Sequence, residues 1–141
     1  MIVLDTNVVS EPMRRAPNPA VIHWLDNQPR GELYLCAPVL AELCYGIARL
    51  EESQRKLGLQ RSYEKSIVET FEGRILPFDT QAAQAYGELL AKLEGEGQAI
   101  DVIDAMIAAI ALSNSATLAT RNMAPFAHTG LTLLDPFGAS T

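Results

Sequence analysis

Apolar positions along this chain fall into two patterns. Short unbroken runs such as Ile2-Val3-Leu4 suit a strand buried on both faces, whereas apolar residues every three or four positions suit helices packed on one side. The first run predicts a strand that ends at Asp5. A short helix is expected over 7–15, where Pro12 and then Pro17 punctuate the chain. Asn18 reads as an N-cap with Pro19 in the first turn. The helix it opens has Val21, Ile22, Trp24 and Leu25 on its apolar face and ends before Pro29. Gly31 marks a turn, and Leu33-Tyr34-Leu35-Cys36 predicts a second strand.

Pro38 opens the next helix, in which Val39, Leu40, Leu43, Ile47 and Leu50 keep helical spacing to about residue 51. Residues 52–73 are more polar. Leu57, Leu59, Tyr63, Ile67, Val68 and Phe71 carry the rhythm of one helix there, with Gly58 as its weak point and Gly73 as its stop. Arg74 to Phe78 predicts a third strand, and Pro77 suits only an edge or a strand end. An alanine-rich helix starts at Asp79-Thr80 and ends near Gly95 or Gly97; another is expected from 101 to 114, with strands at 116–120 and 131–134. Strands alternating with helices predict an α/β fold whose central, mostly parallel sheet is covered on both faces. The length suits a single domain, 1–141, able to form a core without disulfides or a structural metal.

Composition narrows the function. With 48% apolar and 20% charged residues the chain is globular, not disordered. No apolar run has the length of a membrane span, and the first run stops at Asp5 with no basic flank before it, so a cytoplasmic protein with no membrane role is expected. Cys36 and Cys44, the only cysteines, lack zinc-site spacing and are expected to be reduced core residues. The net charge of −6 argues against a surface that grips nucleic acid non-specifically. It leaves room for an enzyme acting on nucleic acid, because carboxylates that hold cations contribute negative charge whose local effect the cations reverse.

The acids stand out by their settings. Asp5 follows a strand, where open α/β sheets bind ligands, with the hydroxyl of Thr6 and the amide of Asn7 beside it. The structural alternative is that Asp5 caps a helix. From Val102 to Leu112 the chain is apolar all round apart from Asp104, and a carboxylate in a buried helix is costly unless paired, hydrogen-bonded or bound to a metal. Asp101, three residues earlier, reads as the cap of that helix. Glu42 lies among Val39, Leu40, Leu43 and Cys44, with Gly46 one turn on, where glycine permits close approach of a backbone or ligand. Alone, Glu42 reads as a solvated charge. With Asp5 and Asp104 it forms a set of hard oxygen donors that suits Mg2+ or Mn2+ and phosphoryl transfer. Thr120 and Asn122 end a later strand with polar groups that fit the same site.

Four strings carry a family likeness: LDTNVVSE at the start, AELCYG around Glu42, DAMIAAIAL from Asp104 and LATRNMAPF from Leu118. Each is weak alone, but in this order and over nearly the whole chain they resemble a PIN-domain protein of the VapC-like toxin group, near its FitB-like branch. The resemblance implies a three-layer α/β/α sandwich and a Mg2+- or Mn2+-dependent ribonuclease, the toxin of a type II toxin–antitoxin pair. It implies a cognate antitoxin that blocks the site, contact with promoter DNA only through the antitoxin complex, and a homodimer, for which Val8, Val9, Leu40 and the alanine-rich helices are candidate surfaces. The family's acidic positions carry over as Asp5, Glu42 and Asp104, and Thr6 and Thr120 match its supporting hydroxyls. Where the family commonly has a fourth acid, this chain has Asn122, which offers a carbonyl oxygen without the charge. Asp101 is a candidate to compensate.

The mechanism expected is hydrolysis of an RNA phosphodiester. Asp5 and Asp104 hold the divalent ion and Glu42 orients the water as ligand or base, with Arg121, Arg14, Arg15, Arg49 and Lys56 as candidate phosphate contacts. One rival is a catalytically weakened module, disabled by Asn122, that acts with its antitoxin as a DNA-binding co-repressor. The other is a phosphatase using Asp5 as nucleophile, disfavoured because Asn7 stands where that chemistry wants a second acid.

Overall fold

The computed structural model describes residues 1–138. Its centre is a five-stranded sheet in the order β3-β2-β1-β4-β5, with every pairing parallel: β1 Ile2–Leu4, β2 Leu33–Cys36, β3 Ile75–Leu76, β4 Thr117–Ala119 and β5 Leu133–Leu134. The helices are α1 Thr6–Ser10, α2 Pro19–Asp26, α3 Ala37–Ala48, α4 Gln54–Ser62, α5 Thr80–Gly95 and α6 Val102–Ser113. From β1 the chain steps through β2 to β3, then crosses back through α5 and α6 to β4 on the other side of β1. Right-handed crossovers in opposite directions put helices on opposite faces, which gives the three-layer sandwich.

Burial follows this layering. Val3, Leu4, Leu118 and Ala119 in the two central strands are at most 1% exposed, as expected for strands covered on both faces. The apolar helix α6 lies between the sheet and α5 and buries Ala105 and every residue from Ile107 to Ala111. Val8 and Val9 also belong to this core, so they are not available as a dimer face. The large apolar side chains left exposed include Tyr45, Leu57 and Val102.

Several boundaries differ from the sequence expectation for local reasons. The helix expected over 7–15 starts at Thr6, because Asp5 caps it, and continues only as a 3-10 turn at Glu11–Met13. The missing N–H of Pro12 denies the α-helical ladder a donor. Gly58 does not break its helix. It lies inside α4, which Ser53 caps by accepting the Lys56 N–H at 3.1 Å. After Ser62 the backbone widens into a π-helix, Tyr63–Glu69. The third strand shrinks to Ile75–Leu76 at the sheet edge, where Pro77 ends it. Gly97 closes α5 with φ of +69°, and Gln98 N–H reaches back to the Leu93 carbonyl at 2.8 Å. Cys36 is buried, but Cys44 is exposed on α3 and is not a core residue.

Candidate active site

The sheet changes direction between β1 and β4, and the crevice beyond the carboxyl ends of such a pair is where doubly wound sheets bind ligands. Leu4 pairs with Ala119, so the next residues, Asp5 and Thr120, lie side by side at that crevice. The Thr120 hydroxyl donates to Asp5 Oδ2 at 2.7 Å, and the Thr6 N–H donates to Asp5 Oδ1 at 2.8 Å. Asp5 thus caps α1 and faces the crevice at once; the two sequence readings were not exclusive. Burial pushes its carboxyl above the usual range, against the lowering effect of the two hydrogen bonds.

Asp104 stands in the first turn of α6, half-buried. Its carboxyl is pushed up to about 6, first by burial and then by the charges of Asp5, Asp101 and Glu42. Those three acids therefore lie close enough to act on Asp104 at the end of the sheet. Glu42 is exposed on α3, and its Oε1 accepts the Thr6 hydroxyl at 2.5 Å. Thr6 thereby links the first strand's turn to α3. Asp101 occupies the N-cap position of α6, but its side chain makes no capping hydrogen bond. The expected capping box is absent, and Asp101 contributes charge instead. Gly46 has no backbone near it: a Cβ there would meet nothing within 4 Å.

Thr120 joins the two halves of the site. Besides donating to Asp5, its Oγ1 accepts the Asn122 N–H at 3.1 Å, so Asn122 sits at the rim through its backbone, with its side chain exposed. Asn7 has a place that sequence reasoning did not assign: its Oδ1 accepts the Arg121 N–H at 3.1 Å and ties this loop to α1. Its position two residues after Asp5 was the only signal. Cys36, at the end of β2, feels the charges of Asp5 and Glu42. Burial chiefly, with those charges, pushes its thiol up to about 12, so it stays protonated and inert.

The expected basic residues separate. Lys56 is buried, and its Nζ is committed to the Ala48 carbonyl and Glu52 Oε1, so it is not a phosphate contact. Arg49 lies over the Tyr45 ring at 5.5 Å. Arg14 and Arg55, the latter missed from sequence, line a cavity of 290 Å³ with Thr6, Ser10, Glu42 and Gly46. A larger cavity, 670 Å³, runs along Gln81, Gln84, Glu88, Lys92 and Ser113 and touches none of Asp5, Glu42, Asp101 and Asp104. Converging negative charge, not enclosed volume, marks the site.

Among the described residues no three His, Cys, Asp or Glu side chains are close enough to grip a metal directly as they stand. The donor set nevertheless fits a hard divalent cation. Asp5 and Asp104 have no ion-pair partner among the described residues; burial raises both carboxyls, and the charges of Asp5, Asp101 and Glu42 raise Asp104 further. Mg2+ commonly keeps several waters and takes only one or two carboxylates, so the looser spacing suits it.

Comparison with known proteins agrees with this fold. The PIN domain family matches residues 2–130, and the chain belongs to that family. It is 46% identical over 139 residues to the plasmid stability protein StbB of Pseudomonas syringae pv. tomato, covering 99% of this chain and 100% of that one. It is 39% identical to the VapC ribonuclease Y4jK of Sinorhizobium fredii, covering 97% and 98% of the two chains. Among solved structures, FitAcB from Neisseria gonorrhoeae superposes with a TM-score of 0.92 at 40% identity, covering 97% of this chain and 99% of that one. FitAB bound to a DNA fragment gives the same TM-score at 39% identity, covering 97% and 96%.

Proposed function

We propose that the protein is the toxin of a toxin–antitoxin pair and an endoribonuclease that hydrolyses RNA phosphodiesters with Mg2+ or Mn2+. The observation that carries this reading is the buried Asp5 carboxylate, held by Thr120 at the switch point of the sheet with Asp104 and Glu42 beside it. Asp5 and Asp104 would hold the cation, and Glu42 would complete its surroundings. When bound, the cation neutralises phosphate charge and lowers the pKa of a nearby water. The chain's own groups do the rest. Thr120 and the Thr6 N–H hold both oxygens of Asp5. The Thr6 hydroxyl holds Glu42, leaving its other oxygen open to take the proton of the attacking water. The water oxygen stays on phosphorus as the bond to the ribose oxygen breaks.

The relatives solved as FitAB and FitAcB complexes support an antitoxin as partner. The apolar groove of 360 Å³ rimmed by Met13, Leu25 and Phe71 suits an apolar segment of such a partner. The DNA-bound relative favours a second role, co-repression in complex with the antitoxin. With a net charge of −6, the DNA contacts in that complex would come from the partner.

The test is incubation of antitoxin-free protein with a pool of tRNA and structured RNA, in Mn2+ or Mg2+ and then in EDTA. Cleavage that requires the cation supports the enzyme. A folded protein that leaves the pool intact favours the co-repressor role, with Asn122→Asp as the variant that would restore cutting.

A further inference from the structure

Arg121 is set apart from the other cations by its place in the chain. It directly follows Thr120, the partner of Asp5, and its side chain is exposed. Its backbone N–H is fixed by Asn7 Oδ1 at 3.1 Å, and its guanidinium carbon lies over the Phe137 ring, 4.7 Å from the centroid. Phe137 is itself fixed. Its N–H donates to Asp135 Oδ1 at 2.9 Å, and Thr120 N–H bonds to the Leu134 carbonyl at 2.9 Å, which sets the 135–137 turn beside the 120–122 loop. Arg121 makes no ion pair among the described residues, so its charge is not committed to a carboxylate there. A guanidinium over a ring face is attracted by the ring's quadrupole and keeps its in-plane N–H groups free for an anion. Phe137 lies beyond residues 2–130, the stretch matched by the PIN domain family.

We propose that Arg121 binds a phosphate of the RNA strand flanking the scissile one, and that Phe137 is a positioning residue that holds the guanidinium for that contact. The proposal rests on the ribonuclease reading. The strand then crosses the acids with cationic support on both sides, from Arg55 near Glu42 and from Arg121 next to Thr120.

Full-length wild type, Arg121→Gln, Phe137→Leu, Phe137→Tyr and the Arg121→Gln/Phe137→Leu double variant are compared. KM and kcat are measured on a labelled single-stranded 12-mer RNA in Mn2+. Binding of the same RNA is followed by fluorescence anisotropy in Ca2+ from 50 to 200 mM KCl. Arg121→Gln should raise KM about five- to tenfold with little change in kcat and reduce the salt slope of log Kd by about 1. Phe137→Leu should raise KM about two- to fivefold, Phe137→Tyr should match wild type, and Phe137→Leu should add nothing in the Arg121→Gln background. An unchanged KM and salt slope in Arg121→Gln overturn the proposal, as does a Phe137→Leu effect that persists in full without Arg121. If Phe137→Leu fails to fold, Arg121→Gln, altered only at an exposed side chain, still decides. A wild type that neither binds nor cuts RNA overturns the ribonuclease reading itself, and this inference with it.

Discussion

Asp104 and Asp5 hold protons more tightly than free carboxylates, and the sign of that shift fixes how the metal-free protein responds to pH. For Asp104 the folded value is about 6 against an ordinary 3.8. Between these values the folded state binds more protons than the unfolded chain, so this group's contribution to stability falls as pH rises from about 4 to 6 and then levels off. Protons and cations compete for the same oxygens, so calorimetric Mn2+ affinity should weaken as pH is lowered through 6. Asp104→Asn should therefore make the metal-free protein more stable at pH 7.5 in denaturant unfolding while abolishing tight Mn2+ binding. A less stable variant would mean that the carboxylate is satisfied by a partner other than a cation. Thr120→Val acts in the other direction. It leaves Asp5 Oδ2 buried without its donor, at a cost of about 1–3 kcal/mol, and raises the Asp5 proton affinity further. Asn122→Asp adds a charge at the rim and should tighten Mn2+ binding roughly tenfold, since a unit charge near a divalent ion exceeds 1.4 kcal/mol even at an effective dielectric near 20.

At the scale of elements, the helix starts differ in whether the residue at the cap position uses its side chain to cap. Asn18 and Asp79 cap α2 and α5 through their side chains, each accepting a backbone N–H at 2.9 Å. Replacing Asp79 with Ala should cost about 1 kcal/mol in thermal or denaturant unfolding. Asp101 stands in the same position on α6 but makes no such bond. Asp101→Asn should leave stability within about 0.5 kcal/mol, because surface changes away from a cap or core rarely do more. It should lower the pH at which Asp104 titrates in a carbon-detected NMR titration, because one repelling charge is gone. A loss near that of Asp79→Ala would restore the capping role that the sequence suggested. The sequence could not make this distinction: an acid three residues before another has the same spacing whether its side chain turns to the backbone or to its neighbour.

Across the whole molecule, what was legible followed from periodicity and what was not depended on contacts distant in sequence. The strand before Asp5, the α6 helix that is apolar but for Asp104 and its last residue, and the strand end at Pro77 were each written in a few adjacent residues, so the α/β class followed. The parallel order around β1 brings Thr120 to Asp5 across 115 positions, and no local pattern contains that hydrogen bond. The same holds for the commitment of Lys56 to backbone and Glu52, which removed an expected phosphate contact, and for the exposure of Cys44 on a helix face that composition alone made look buried. The central claim is that one end of this sheet, through Asp5, Glu42 and Asp104, cuts RNA. Its most direct test is the single-turnover cleavage rate of wild type, Asp5→Asn, Glu42→Gln and Asp104→Asn on one RNA in saturating Mn2+, with unfolding midpoints measured beside them. Each variant should stay folded and lose about 100-fold or more in rate, and EDTA should bring wild type to the same floor. Folded variants that all cut at the wild-type rate would place the chemistry elsewhere and contradict the account.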